Sequence, residues 1–80
     1  MFVTLTGQIT EKISSTIVID VNGVGYGVLV TSSDFGSIRA GEVYKLYIHE
    51  HIKEDAHDLY GFKTLDNQQL FEPLPHQFPN

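Results

Sequence analysis

Three histidines and an adjacent pair of carboxylates crowd into one short stretch of this 80-residue chain: His49, His51, Glu54, Asp55 and His57. His49 and His51 alternate along one predicted strand, so both rings project from the same face, with His57 just beyond the following turn. A divalent metal site is conceivable there. Zinc, however, takes three or four ligands in fixed geometry, and a two-residue histidine spacing with no assured third ligand is a weak signal. The favoured reading is exposed strand histidines on a solvated face, and no metal is expected. Covalent catalysis has less support, because the chain has no cysteine and no serine in a G-x-S-x-G context. Gly23-Val24-Gly25-Tyr26-Gly27 is glycine-rich but falls within a hairpin rather than between a strand and a helix, so it offers no helix N-terminus to phosphate. No catalytic residue and no cofactor are expected. The segment Lys53-Glu54-Asp55-Ala56 remains: two carboxylates at the tip of a long hairpin with Lys53 as the local cation. From charge alone it reads as a solvated acidic turn.

The tyrosines Tyr26, Tyr44, Tyr47 and Tyr60 raise the idea of base-stacking platforms on an oligonucleotide-binding barrel. Tyr26 shares the apolar face of its hairpin and is assigned to the core, and the few lysines and arginines are not interleaved with the aromatics as a single-strand groove requires.

The elements that position these residues are mostly strands. From Phe2 to Ile9, Val3, Leu5, Gly7 and Ile9 alternate with Thr4, Thr6 and Gln8, the period of a half-buried strand. Glu11-Lys12 and a Ser14-Ser15 turn signal follow. Thr16 to Val21 is almost continuously β-branched, and Asn22-Gly23 is the strongest short hairpin dipeptide, requiring positive φ at both residues. That two-residue loop sets Val21 opposite Val24, Ile19 opposite Tyr26 and Ile17 opposite Val28 on one face, with Asp20 opposite Gly25 and Val18 opposite Gly27 on the other. Glycines at 25 and 27 are read as bending or close backbone approach, as closing a small barrel requires. Residues 32–38 carry capping-type residues and predict at most a short helix, and Arg39-Ala40-Gly41-Glu42 a turn. Val43 to Lys53 is a long strand, followed by a hairpin over Lys53–His57 and a short strand Asp58–Phe62. The expected fold is all-β: a small OB-fold-type Greek-key barrel of five to six strands over residues 1–63. A short helix capped by Thr64 is expected over 64–72, then an extended or disordered tail over 73–80.

Composition bounds the function. A chain of 80 residues builds one core and buries only about 60% of its unfolded surface, while 41% hydrophobic and 19% charged content place it among ordinary globular domains. Without cysteine it fits a reducing compartment. No stretch approaches a membrane span, and the N-terminus lacks the pattern of a secretory signal, so the cytoplasm is expected. Net charge is −5 with only five Lys plus Arg, whereas proteins that grip nucleic acid through its phosphates are normally basic. Alone, such a chain is expected to bind DNA weakly.

The run Asp20-Val21-Asn22-Gly23-Val24-Gly25-Tyr26, then Lys53-Glu54-Asp55-Ala56, then Leu59-Tyr60-Gly61-Phe62, resembles the N-terminal domain of bacterial RuvA. Leu5-x-Gly7, Glu11-Lys12 and Leu70-Phe71-Glu72 fit the same pattern, so the resemblance covers roughly residues 1–72. It implies an OB-type barrel that assembles as a homotetramer and lies on four-way (Holliday) junction DNA. It also implies that Glu54 and Asp55 match the carboxylates of an acidic pin, and that Lys53 stands where a basic neighbour could touch phosphate. The partners implied are the junction, three further copies, and the ATP-driven motor RuvB, reached through a C-terminal domain not found in this sequence. The helix-hairpin-helix region that supplies most of the phosphate grip in that family is also missing after Glu72, so the chain is expected to be an N-terminal piece of a non-catalytic branch migration subunit. The alternatives are a generic OB-type binding or assembly module with no DNA role, and a histidine-dependent metal enzyme.

Overall fold

A computed structural model describes residues 2–65, with the backbone alone described at Phe2. Five strands and one helix follow in order: β1 Phe2–Ile13, β2 Thr16–Val21, β3 Val24–Val30, α1 Ser32–Ser37, β4 Val43–Lys53 and β5 Ala56–Phe62. They close into a barrel in the order β1-β2-β3-β5-β4, with β4 returning to β1. Every contact is antiparallel except β3 with β5. This is the OB-type barrel expected, with five strands.

The first strand makes closure possible by serving two neighbours. Its first part, Phe2–Gln8, pairs with β4, and its later part pairs with β2 from Gln8 to Ile13, across a register shift between Ile9 and Glu11. A bulge there adds the bend and twist that a strand needs to turn a barrel corner. Glu11 and Lys12 are therefore strand residues. The expected end at Ile9 fell short because the bulge resets the alternation that defined it. The β3–β5 seam is short, with two paired positions, Leu29 with Tyr60 and Val30 with Gly61, and the Val30 N–H donates to the Ser15 carbonyl at 3.1 Å.

Alternation then sorts the side chains. Ile9, Ile17, Ile19, Val28, Val30, Leu46 and Ile48 are fully buried inside the barrel, and Ile38, just after α1, joins the same cluster. Each such side chain contributes about 1.5–3 kcal/mol when removed from water. The β2–β3 register is the expected one at every pair, and Asn22 and Gly23 have φ of 53° and 89°, as the type I′ turn demands. The apolar face thins toward that turn: Tyr26 is half-buried against the core and Val24 is 52% exposed.

The close approaches expected at Gly25 and Gly27 lie mainly elsewhere. A Cβ at Gly27 would meet only ordinary contact, and at Gly25 it would come within 3.1 Å of Val18. At Gly7 it would run into the Asp20 carbonyl, and at Gly61 it would sit 2.5 Å from Val28 inside the barrel. The tightest glycines thus stand on β1 and β5, with Gly25 in the hairpin a less severe close approach.

The short helix α1 is fastened over one barrel end. Thr31 is its N-cap and accepts from the Asp34 N–H at 3.1 Å, while the Asp34 carboxylate accepts from the Lys63 N–H at 3.1 Å. Lys12 donates to the Ile38 carbonyl at 2.7 Å, with its ammonium 4.6 Å from the Phe35 ring centroid. The turn 39–42 forms as expected, its Glu42 N–H donating to the Arg39 carbonyl. The helix expected over 64–72 lies outside the described residues from position 66 on, and the tail over 73–80 wholly so; Thr64 and Leu65 are non-helical.

Candidate functional site

β4 and β5 outrun their neighbours. Pairing of β1 with β4 stops at His49, and pairing of β3 with β5 begins at Tyr60. Between those limits, among the described residues, Glu50–Lys53 pairs only with Ala56–Leu59. The result is a two-stranded arm four rungs long, reaching about 13 Å from the barrel at a strand rise of about 3.3 Å per residue.

Its turn is Glu54-Asp55, with Lys53 directly opposite Ala56. The sequence placed the start of the last strand at Asp58, two residues late, because Ala56-His57 carries neither alternation nor β-propensity. Paired in full, this stretch sets Glu50 opposite Leu59, His51 opposite Asp58 and Ile52 opposite His57. Neither turn residue has positive φ, a state found among the non-glycine described residues at Ser14, Ser15 and Asn22. The tip therefore does not close as the type I′ turn whose twist matches its strands.

Lys53, Glu54 and Asp55 are all exposed. Among the described residues no cation lies within ion-pair distance of either tip carboxylate, Lys53 included. Residues 50–59 hold four carboxylates, Glu50, Glu54, Asp55 and Asp58, against one lysine, giving a net charge of −3 with histidines neutral. More than half of the chain's net charge of −5 is thus concentrated on one projecting hairpin.

The histidines divide between the two faces of the arm. His49 and His51 share a face, as expected; His57, opposite Ile52, lies on the other with Glu50. His57 Nε2 stands 3.1 Å from Glu50 Oε2. His51 packs edge-on to Tyr60, ring centroids 6.2 Å apart. His49 is half-buried rather than solvated, and burial, reinforced by neighbouring positive charge including that of His51, pulls its pKa below the ordinary imidazole range. Among the described residues no three His, Asp, Glu or Cys side chains come together as a metal site. The Glu50–His57 contact was the feature that sequence reasoning missed. A two-residue turn at Glu54-Asp55 puts these residues diagonally across the arm, and the longer turn assumed from the sequence hid that register.

Fold and site together define an OB-type barrel domain carrying an acidic hairpin between its fourth and fifth strands. Residues 1–61 match the RuvA N terminal domain family, and the chain belongs to that family. It is 43% identical over 70 residues to the "Holliday junction branch migration complex subunit RuvA" of Rickettsia felis, covering 88% of this chain and 34% of the relative. The protein of the same name from Geobacter sulfurreducens is 41% identical over 75 residues, and that from Fusobacterium nucleatum 43% over 74, each covering 92% of this chain and 38% of the relative. The chain therefore spans little more than a third of the length of these relatives.

Proposed function

We propose that this chain is the barrel domain of a Holliday junction branch migration subunit and that Glu54 and Asp55 act on the junction by repulsion. The observation that carries this reading is the exposed, unneutralised carboxylate pair at the end of a projecting arm, in a chain whose family and named relatives belong to that complex. In a four-fold tetramer, four arms converge and bring four copies of each carboxylate to the crossover. A unit charge facing a phosphate at 4 Å contributes about 1 kcal/mol of repulsion in water, and more where water is excluded. Phosphates cannot settle against such a pin, so the strands are held apart and the junction stays open. No covalent step is involved. Attraction comes from elsewhere in the full-length protein, and an ATP-driven motor, RuvB, moves the DNA that this module holds.

The test neutralises the tip without changing its shape. Glu54→Gln with Asp55→Asn, in the tetramer on a four-way junction, is expected to leave solution mass unchanged while tightening the bound junction and reducing its opening, read by a fluorescent base analogue at the crossover. Unchanged opening would mean that the turn is only solvated surface on an OB-type assembly module.

A further inference from the structure

Among the described residues, the arm has little to hold its direction. Neither edge is paired with β1 or β3, its turn is not of the self-matching type I′ kind, and Ile52, its outermost large apolar side chain, is 70% exposed. An isolated two-stranded hairpin is at best marginally stable in water. Side-chain contacts across the two strands therefore add to their backbone pairing in setting where Glu54 and Asp55 stand.

We infer that His57 is a positioning residue for the acidic tip, acting through Glu50. The contact is diagonal: Glu50 faces Leu59 and His57 faces Ile52, so the 3.1 Å bond spans two rungs and ties the strand leaving the tip to the strand leading to it. An ionised carboxylate can only accept, so Nε2 carries the proton and donates to Glu50 Oε2. The Glu50 side chain is only 24% exposed and His57 is 54% exposed, so the carboxylate sits against the mouth of the barrel while the imidazole reaches back to it. On the opposite face the edge-on contact of His51 with Tyr60 slants the other way, since His51 faces Asp58. One tie on each face resists twisting in both senses. The functional consequence rests on the proposed role of the tip; the positioning itself does not.

Two readouts separate these layers. The first is backbone order of Glu54, Asp55 and Ala56 by NMR relaxation in the 80-residue chain. His57→Phe removes the donor, and tip order parameters are expected to fall toward the flexible range, below about 0.6. His57→Gln, whose amide nitrogen can take the place of Nε2, is expected to restore them, and Glu50→Leu to reproduce the loss. A tip equally ordered in His57→Phe, or equally loose in His57→Gln, overturns the positioning role. The second readout is junction opening by the tetramer at saturating protein, where His57→Phe is expected to reduce opening about two- to fivefold with solution mass unchanged. If Glu54→Gln with Asp55→Asn changes opening and His57→Phe does not, positioning has no functional weight. If the tip variant itself changes nothing, the proposed function falls, and the functional part of this inference with it.

Discussion

On β4, Leu46 and Ile48 are sealed from water, while Ile52, four residues further along the same face of the same strand, is 70% exposed. Residue type does not distinguish them. What changes is the company: at Leu46 and Ile48 the strand has β1 on one side, and β2 and β3 close the barrel behind it, whereas at Ile52 only β5 remains among the described residues. The barrel body and the arm are thus one pair of strands under two regimes, a close-packed interior and a ribbon whose edges pair with no other strand among the described residues. The body supplies stability, and the arm spends almost none of it. A projecting element can carry four carboxylates on ten residues because the two at its tip, Glu54 and Asp55, face solvent, while Glu50 is half-buried beside His57.

The contrast is broken most directly by truncating both sites. Leu46→Ala leaves a cavity in a fully packed barrel and is expected to cost about 2–5 kcal/mol, much of the stability of so small a domain. Ile52→Ala is expected to fall within about 0.5 kcal/mol of the parent. Urea midpoints of the two variants check this, and comparable losses would show that the arm is packed in solution as the body is.

Adding volume probes the same boundary from the other side. Gly61 on β5 lies inside the barrel, where a Cβ would stand 2.5 Å from Val28 and 3.4 Å from Ile48. Gly61→Ala is expected to cost about 1–3 kcal/mol through forced repacking. Ala56→Val, at the tip end of the same strand, should have little effect, and the difference between the two melting temperatures measures how abruptly packing ends.

How much of this was legible in the sequence follows the same division. The β2–β3 hairpin could be read pair by pair because Asn22-Gly23 fixes a register by backbone chemistry, and β4 could be bounded because its buried face alternates cleanly. Where those signals lapse, the reading slipped. The bulge after Ile9 inserts a residue that hides the rest of β1, and Ala56-His57 begins β5 without any apolar partner to mark it. The acidic tip was visible as charge, but its isolation was not, because the absence of β1 and β3 from the arm is a property of the closed barrel. For the same reason the Glu50–His57 tie required the register before it could be seen. Gly7 and Gly61 were ordinary strand glycines in the sequence; their necessity comes from atoms on other strands.

Smaller effects belong to the turns. Ser14 and Ser15 join β1 to β2 with φ of 46° and 70°, a conformation that costs an L-residue roughly 1–2 kcal/mol unless it is glycine or asparagine. Ser14→Asn with Ser15→Gly keeps the geometry and relieves that cost, so the barrel is expected to gain about 1 kcal/mol, read from thermal unfolding. The same pair placed at Glu54 and Asp55 meets a tip without positive φ and should stabilise less, which separates a turn built into the body from one held only by its arm.

His49 stands where the two regimes meet, as the last β4 residue paired with β1. Burial holds its folded-state pKa below the ordinary value, so between that depressed value and the ordinary histidine range near 6.5 the unfolded chain binds more protons than the folded one. Stability therefore rises with pH through that window: His49's contribution is complete above the ordinary value, is lost progressively as pH falls through it, and declines no further once the folded-state pKa is passed. His49→Gln removes the titration and is expected to flatten this part of the profile without altering the rest. Urea midpoints from pH 8 to pH 5 for parent and variant provide the measurement, and parallel profiles would show that the burial of His49 is not maintained in solution. The same substitution at His51, which is exposed on the arm, serves as the reference for replacing a β4 histidine by glutamine outside the barrel wall.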